Sequence, residues 1–382
     1  MTKERLGKYI QEYSVKNKKD LGYPVYSVTN SKGFCTEYFN KDVSGANKTT
    51  YKIVPRGFFA YNPSRINVGS IDWQNCEDNV IVSPLYVVFK CSDGLNQDYL
   101  KYFLKSDCGK RQINARVSGA VRNNLKFSVL SNFELEIGSI DKQQAVVKVL
   151  KRIEEALNHE IEQLRLFDEL VKSQFVELFG LPEFNTKAFP SKTIGDLSDD
   201  VRYGTSLPAV NGGTYKYLRM NNITSDGRLD LSDIKYIDIS EGELEKCKVK
   251  KGDVLFNRTN SVDLIGKTTC FQEDEEMIIA GYIIRVRLKK DLNPLYLSAY
   301  MNLDSTKRLL RKMAKGAVNQ ANINAQELKS IRILVPPLNL QNEFVTFLNK
   351  IEKSRIETQK RINLYKELLS KKTDELFNGE SA

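Results

Sequence analysis

The sequence predicts an α+β fold in which two globular α/β units are separated by two long antiparallel helices that form a coiled coil, with an internal pseudo-twofold repeat. The first observation is that residues 141–179 recur as residues 339–377 at a constant offset of 198. A fixed offset without gaps indicates a duplicated unit. The second observation is that strand-like runs rich in Val, Ile, Tyr and Phe precede each copy in the same order. The chain therefore contains two versions of one unit.

The repeated segment predicts a long helix in each copy. Neither copy contains Pro or Gly, and ~39 residues at a rise of 1.5 Å span roughly 58 Å. The second copy places Arg355, Thr358 and Lys372 at seam positions, so it needs a specific partner helix, and the first copy is the simplest partner. In the first copy, apolar residues recur at alternating steps of three and four, a spacing typical of helix–helix packing. These residues are Leu150, Ile153, Leu157, Leu164, Phe167, Val171 and Leu178.

The boundaries follow from these repeats and from turn residues. Gly180 and Pro182 predict the end of the first long helix. The globular parts align more weakly than the helices: GFFAYN at residues 57–62 matches GDVLFN at residues 252–257 at an offset of 195. Such divergence suggests two modules that read different targets. The predicted segments are a first unit (1–140), a central helix (141–180), a connector (181–192), a second unit (193–337) and a C-terminal helix (338–379).

Composition favours a polyanionic partner. The chain has 58 Lys and Arg residues against 48 Asp and Glu residues, a net charge of +10, which points first to nucleic acid. No apolar run approaches the ~18 residues of a membrane span, and the start lacks the apolar core of a signal peptide, so a cytoplasmic protein is expected. The single histidine, His159, lies in the first long helix, and the six cysteines form no C-x-x-C pair. Neither a histidine-based catalytic site nor a metal site is predicted.

The enzyme motifs that the sequence contains are incomplete. GKT at residues 266–268 resembles the end of a phosphate-binding loop, but Ser261 stands where that loop requires its first glycine. YNPS at residues 61–64 resembles the Asn-Pro-Pro-aromatic motif of amino-methyltransferases, yet Ser64 and Arg65 replace the second proline and the aromatic residue. A binding surface is therefore expected rather than a catalytic centre.

Two loops with similar sequences are the predicted DNA contacts. GAVRNN at residues 119–124 and GAVNQAN at residues 316–322 each follow a basic helix. Arg, Asn and Gln side chains suit base edges, and the basic helices can hold phosphates. For any single residue a solvated polar turn explains the same pattern, but the duplication favours function. The predicted DNA-binding residues are Arg65, Lys110, Arg111, Arg116, Arg122, Asn123, Asn124, Arg258, Lys312, Lys315, Asn319, Gln320 and Asn322.

Taken together, these features make the whole chain resemble the specificity subunit of type I restriction-modification systems. The resemblance lies in the twofold succession of a recognition-like unit and a long helix, in YNPSRINVGSI (61–71) and GDVLFNRTN (252–260), and in ILVPPLNLQ (333–341). One departure is that the first copy has Gly138 and Ser139 where the second has a double proline. The resemblance implies two target recognition domains, each binding half of a bipartite DNA site, spaced by the coiled coil.

The resemblance also implies partners and the absence of catalysis. Such a subunit binds double-stranded DNA and docks two methyltransferase (M) subunits, which use S-adenosylmethionine, and restriction (R) subunits, which use ATP. No cofactor is then expected on this chain, while S-adenosylmethionine, ATP and Mg are expected on the partner subunits. Two alternatives remain: a self-contained DNA methyltransferase or nuclease, and a coiled-coil assembly protein without sequence preference on DNA.

Overall fold

The computed structural model describes residues 3–36, 48–117, 124–317 and 320–378. The chain divides into two compact units. The first comprises Met1–Glu162 with Gln359–Ala382, and the second comprises Gln163–Thr358. Each unit thus combines one globular part with part of each long helix.

The first unit begins with short strands and continues with helices. Its strands are β1 (Lys3–Arg5), β2 (Ile10–Glu12), β3 (Ser27–Thr29), β4 (Gly33–Cys35), β5 (Lys52–Pro55), β6 (Phe59–Tyr61), β7 (Ile71–Trp73), β8 (Asn79–Val82) and β9 (Val87–Cys91). They are followed by α1 (Gln97–Lys105), α2 (Asp107–Val117), α3 (Phe127–Leu130), β10 (Glu134–Glu136) and the first long helix, α4 (Ile140–Phe179). Single 3-10 turns lie at Leu6–Lys8, Lys48–Thr50 and Ile66–Val68.

The central sheet of the first unit is antiparallel and has the order β2-β9-β6-β7. Phe59 and Phe89 pair across neighbouring strands, and their rings stack with centroids 4.9 Å apart. Leu100 and Phe103 of α1 are fully buried in the same core. The basic helix predicted before residues 119–124 is broken at Ser106, whose extended backbone separates α1 from α2.

The second unit repeats this succession with additions. Its first elements are β11 (Ser191–Thr193), β12 (Ser198–Tyr203), β13 (Tyr215–Leu218), β14 (Lys235–Ile237), α5 (Glu241–Cys247), β15 (Lys248–Val249), β16 (Val254–Asn257), β17 (Thr259–Asn260), β18 (Thr268–Cys270), β19 (Met277–Ile279) and β20 (Ile283–Leu288). The later elements are α6 (Pro294–Asn302), α7 (Asp304–Met313), β21 (Lys315–Ala317), β22 (Gln320–Asn322), α8 (Ala325–Ser330), β23 (Arg332–Leu334) and the second long helix, α9 (Leu338–Asn378). Single 3-10 turns lie at Met220–Asn222 and Val262–Leu264.

The central sheet of the second unit, β12-β20-β16-β18, has the same antiparallel order as that of the first. A further sheet, β14-β13-β19-β15, is attached to it in the second unit. The basic helix predicted before residues 316–322 is also broken, here at Leu303, which has extended backbone between α6 and α7. The predicted loop at residues 316–322 is corrected to a pair of strands, because β21 and β22 form a hairpin that continues onto β17.

The duplication is most exact where each long helix begins. In the first unit the buried Gln143 side chain accepts from Asn96 N at 2.9 Å and donates to Gly94 O and Gly138 O, both at 2.9 Å. Its counterpart Gln341 accepts from Asn293 N at 2.8 Å and donates to Pro336 O at 2.8 Å and Asp291 O at 3.3 Å. Since all six partners are backbone atoms, the same glutamine fixes each long helix to its globular part, whatever the side chains around it.

The long helices pair in antiparallel fashion within each unit, as predicted. In the second unit Arg355 donates to Asp168 at 2.9 Å, and the buried Thr358 donates to Gln163 at 3.0 Å. In the first unit Arg361 meets Glu160 through two hydrogen bonds of 2.9 Å. Residue numbers fall along α4 as they rise along α9. The two polar seam positions of the second copy at Arg355 and Thr358 thus find partners on the first long helix.

The ends of the long helices are also anchored. Phe179 packs against Tyr296 with ring centroids 4.8 Å apart in the second unit, and Phe377 packs against Tyr99 at 5.0 Å in the first. Gly180 adopts a φ of +74°, which confirms the predicted end of the first long helix, because a residue in this conformation cannot continue it. Lys372, the third polar seam position, pairs with Glu375 of its own helix at 2.9 Å.

Candidate nucleic-acid interface

In the second unit the fold brings together two of the segments predicted to contact DNA. Strand β17, at the end of the GDVLFNRTN segment, pairs with β22, so that Thr259 lies opposite Asn322. The Thr259 hydroxyl donates to Asn322 Oδ1 at 3.1 Å, and Ile323 N donates to Arg258 O at 2.9 Å. Arg258 and Asn322, which are 64 positions apart in the chain, therefore belong to one surface.

Arg258 is held against an aromatic ring. Its guanidinium carbon lies 4.9 Å from the ring centroid of Tyr203. The Tyr203 hydroxyl accepts from Ala325 N at 2.7 Å, which fixes the ring, and Tyr282 O accepts from Arg258 N at 2.9 Å. Within the described residues no carboxylate pairs with Arg258, whereas Arg287 on the neighbouring β20 is bound twice by Asp253 at 2.8 Å. Arg258 thus keeps a fixed orientation without being neutralised.

The aromatic part of this surface was missed by sequence reasoning. Tyr203 is 41% exposed and Tyr282 is 52% exposed. Tyr203 ends β12 and Tyr282 directly precedes β20, so an aromatic residue type at a strand predicts a core position for both. The signal that could have found Tyr203 is its place in the polar run SDDVRY, where alternation turns only every second side chain toward the core.

The first unit has the same backbone arrangement with different side chains. Leu125 N donates to Pro63 O at 3.0 Å, as Ile323 N does to Arg258 O in the second unit. Pro63 therefore occupies the position equivalent to Arg258, at the offset of 195. The predicted residues Arg65 and Asn124 are both exposed beside this contact. The two units thus present different chemistry at equivalent points of one scaffold.

The predicted DNA-binding residues on the two basic helices are exposed. On α2, Lys110 and Arg111 are exposed, Lys110 lies 3.5 Å from Asp107, and the guanidinium of the exposed Arg116 lies 4.9 Å from the ring centroid of Phe133. On α7, Lys312 is exposed.

Lys307 on the same helix is directed inward. Its ammonium donates to Gly266 O at 2.6 Å, and burial, together with the nearby Arg311 and Lys267, lowers its pKa to about 7. A lysine in this environment is a poor phosphate ligand.

Some predicted contacts lie beyond these observations. Arg122, Asn123 and Asn319 are outside the described residues. Lys315 and Gln320 are described through their backbones only, in β21 and β22. All five stay predictions.

The GKT segment has a structural role. Lys267 is 8% exposed and its ammonium donates to Met220 O at 2.8 Å. Gly266 has a φ of +71°, and a Cβ there would lie 2.5 Å from the Leu310 side chain. The lysine and the glycine therefore stabilise the turn before β18 rather than form a phosphate-binding loop. Across the part of the chain that is described, no group of three or more His, Cys, Asp or Glu side chains is placed to hold a metal ion. In that same part, no helix combines the length and apolar character needed to cross a membrane.

Part of the chain is similar in sequence to a known protein family. Residues 189–366 match the family model of the type I restriction modification DNA specificity domain. The EcoKI specificity subunit of Escherichia coli (strain K12), a type I restriction enzyme component, is 25% identical over 306 residues, which cover 74% of this chain and 65% of that protein. The chain thus aligns with less than two thirds of that relative's length.

Two solved structures share the fold. The S subunit of a type I restriction-modification system from M. genitalium has a TM-score of 0.54 and 12% identity, covering 98% of this chain and 96% of that one. A chain from work on complex assembly and conformational transition of the type I R-M system has a TM-score of 0.53 and 15% identity, covering 98% and 97%. These findings agree with the resemblance seen in the motifs: residues 189–366 are similar to the type I restriction modification DNA specificity domain, and the fold is shared with a type I S subunit.

Proposed function

We propose that this chain is the non-catalytic DNA-recognition subunit of a cytoplasmic type I restriction-modification complex, in which each unit binds one half of a bipartite site on double-stranded DNA. The observation that supports this most is the repetition of one scaffold with different side chains at equivalent points. Arg258 in the second unit and Pro63 in the first share a backbone contact but offer different chemistry to a base edge. Two identical half-sites would require no such difference.

The paired long helices connect the two recognition units. Polar contacts such as Thr358 with Gln163 and Arg361 with Glu160 fix the register of one helix against the other. We propose that this fixed register lets the paired helices set the length of the spacer between the half-sites.

Docking of two methyltransferase subunits is supported by a repeated apolar surface. Leu166 and Leu170 of the first long helix are 48% and 45% exposed. Their counterparts at the offset of 198, Leu364 and Leu368, are 61% and 42% exposed. A pair of exposed leucines at i and i+4 on one helix face is typical of a surface that binds a partner, and its repetition suits one partner type bound twice. Restriction subunits complete the proposed complex.

The chemistry is assigned to those partners. Methylation of a base within a duplex requires that the base be turned out into a methyltransferase pocket. The recognition chain then needs only to hold DNA and partners in register, and S-adenosylmethionine, ATP and Mg are proposed to bind the partner subunits. The inward-facing Lys267 of the GKT segment, whose ammonium donates to Met220 O at 2.8 Å, supports this assignment.

The test is an exchange of one unit. Residues 1–140 are replaced by the equivalent unit of a relative, and the methylated motif is determined by sequencing the modified bases of cells that carry the complex. One half of the motif is expected to change while the other half is kept. A change in both halves, or in neither, contradicts independent recognition. Methylation by the purified chain alone would instead indicate a self-contained methyltransferase.

A further inference from the structure

We propose that Arg258 reads a guanine in the half-site of the second unit and that Tyr203 is the residue that positions it. This inference rests on the proposed function and adds a base and a positioning residue to it. It starts from the Arg258–Tyr203 contact, in which the guanidinium carbon lies 4.9 Å from the ring centroid.

The contact prepares Arg258 for planar recognition. The hydrogen bond of 2.7 Å from Ala325 N to the Tyr203 hydroxyl fixes the ring, and the ring in turn limits the orientation of the guanidinium. A planar guanidinium with two free terminal nitrogens matches O6 and N7 of guanine, which is the most common specific contact in the major groove. Holding the side chain in advance reduces the entropy lost when it binds.

The nitrogens of Arg258 show which part of the side chain is open to a ligand. Nε is buried and has no hydrogen-bond partner, while the two terminal nitrogens are not buried in this way. Within the described residues no carboxylate neutralises the group. Neighbouring arginines differ: Arg287 is bound by Asp253 and Arg202 by Asp200 at 2.7 Å. Arg258 therefore retains the full charge and the donor pair that a base edge requires.

The surroundings of Arg258 favour a base edge over a phosphate. The Arg258 side chain lies against the exposed Tyr203 ring, and its backbone N–H donates to the carbonyl of the exposed Tyr282. Arg258 directly precedes β17, which carries Asn260 and pairs with Asn322 of β22. Aromatic and amide groups around one arginine are suited to bases and sugars, whereas phosphate contacts need only accessible charge. Pro63 occupies the equivalent position of the first unit, so the arginine–tyrosine pair is proposed to act only at the half-site of the second unit.

The experiment uses the complex of the full chain with its methyltransferase subunit and a DNA duplex that carries the methylated motif. The exchange of residues 1–140 identifies the half-site of the second unit. Each guanine in that half-site is then replaced singly by 7-deazaguanine, which lacks the N7 acceptor, and binding is measured for the wild type, Arg258→Ala, Arg258→Lys and Tyr203→Ala. Arg332→Ala is the matched control, because this exposed arginine contacts Ser191 elsewhere in the unit.

One guanine is expected to be sensitive to the analogue in the wild type, with a loss of about tenfold or more, and insensitive in Arg258→Ala. Arg258→Lys should keep binding to random DNA but lose discrimination at that base pair. Tyr203→Ala should weaken discrimination at the same position and leave the other positions unchanged. The Arg332 control should behave as the wild type.

Several results would overturn the inference. A second half-site made only of A·T pairs leaves no guanine to read. Equal weakening of specific and random DNA by Arg258→Ala indicates a phosphate contact, and unchanged binding removes Arg258 from the interface. In each of these cases a bipartite methylated motif would still be present. Absence of any such motif would refute the proposed function instead.

Discussion

Replacing Gln341 should show how strongly the start of the second long helix is fixed to its globular part. Its side chain is fully buried and makes hydrogen bonds of 2.8 Å with Asn293 N, 2.8 Å with Pro336 O and 3.3 Å with Asp291 O. Gln341→Met keeps the volume but leaves these backbone groups without a partner. Since an unsatisfied buried group costs about 1–3 kcal/mol and the Asn293 and Asp291 ends are partly accessible to water, we expect a loss of about 2 kcal/mol in the free energy of unfolding.

The assay is urea unfolding followed by circular dichroism, combined with hydrogen exchange of the segment that contains Asn293. Gln326→Met is the control, because this glutamine is exposed on α8 of the same unit and its replacement should change stability by less than about 0.5 kcal/mol. Faster exchange at Asn293 should accompany the loss of stability. If Gln341→Met costs no more than the control, the hydrogen bonds do not anchor the helix.

The duplication supplies an independent repetition of this experiment. Gln143 makes the corresponding three hydrogen bonds in the first unit, all at 2.9 Å. Gln143→Met should therefore destabilise the first unit by a similar amount. A large loss of stability in one unit and none in the other would mean that the same hydrogen-bond geometry does not contribute the same free energy in both units.

Two further predictions concern partner docking and pH. The double variant Leu166→Glu with Leu170→Glu should lose one bound methyltransferase subunit, and so should the double variant Leu364→Glu with Leu368→Glu. Mass photometry of each complex should then show one methyltransferase subunit instead of two. Retention of both subunits would contradict the proposed docking surface. Burial lowers the pKa of Lys307 from 10.5 to about 7, so the unfolded chain binds more protons than the folded chain between these values and wild-type stability should rise with pH across this window. In thermal unfolding curves, Lys307→Met should have a higher melting temperature than the wild type at pH 7, and this difference should shrink toward pH 10. A difference in melting temperature that does not depend on pH would contradict the lowered pKa.

The parts of the fold that depend on local pattern could be predicted from the sequence. The long helices follow from apolar spacing and the lack of Pro and Gly, and the end at Gly180 follows from its freedom to adopt a positive φ. The need of Arg355 and Thr358 for a partner helix was also visible, because polar residues at seam positions are unfavourable alone.

The parts that depend on tertiary contacts could not be predicted in this way. The role of Gln143 arises from backbone atoms of two segments, at residues 94–96 and at Gly138, and nothing in its sequence neighbours indicates it. The hairpin of β21 and β22 looks like a polar loop because its strands are short and contain Gly, Asn and Gln. The contact between Tyr203 and Arg258 joins residues 55 positions apart in the chain, so only the fold shows that the two side chains meet.

The central claim is that one chain contains two DNA-binding units and that its paired helices set the spacer between the two half-sites. The most direct test is to insert one heptad after Glu162 and one after Thr358, at the boundaries of the two units, so that the seam stays in register. Seven residues add about 10 Å of helix, close to three base-pair rises of about 3.4 Å. Sequencing of modified bases should show the same two half-sites with a longer spacer, at reduced occupancy because the duplex also rotates. An unchanged spacer, from a folded variant that still binds its methyltransferase, would contradict the account.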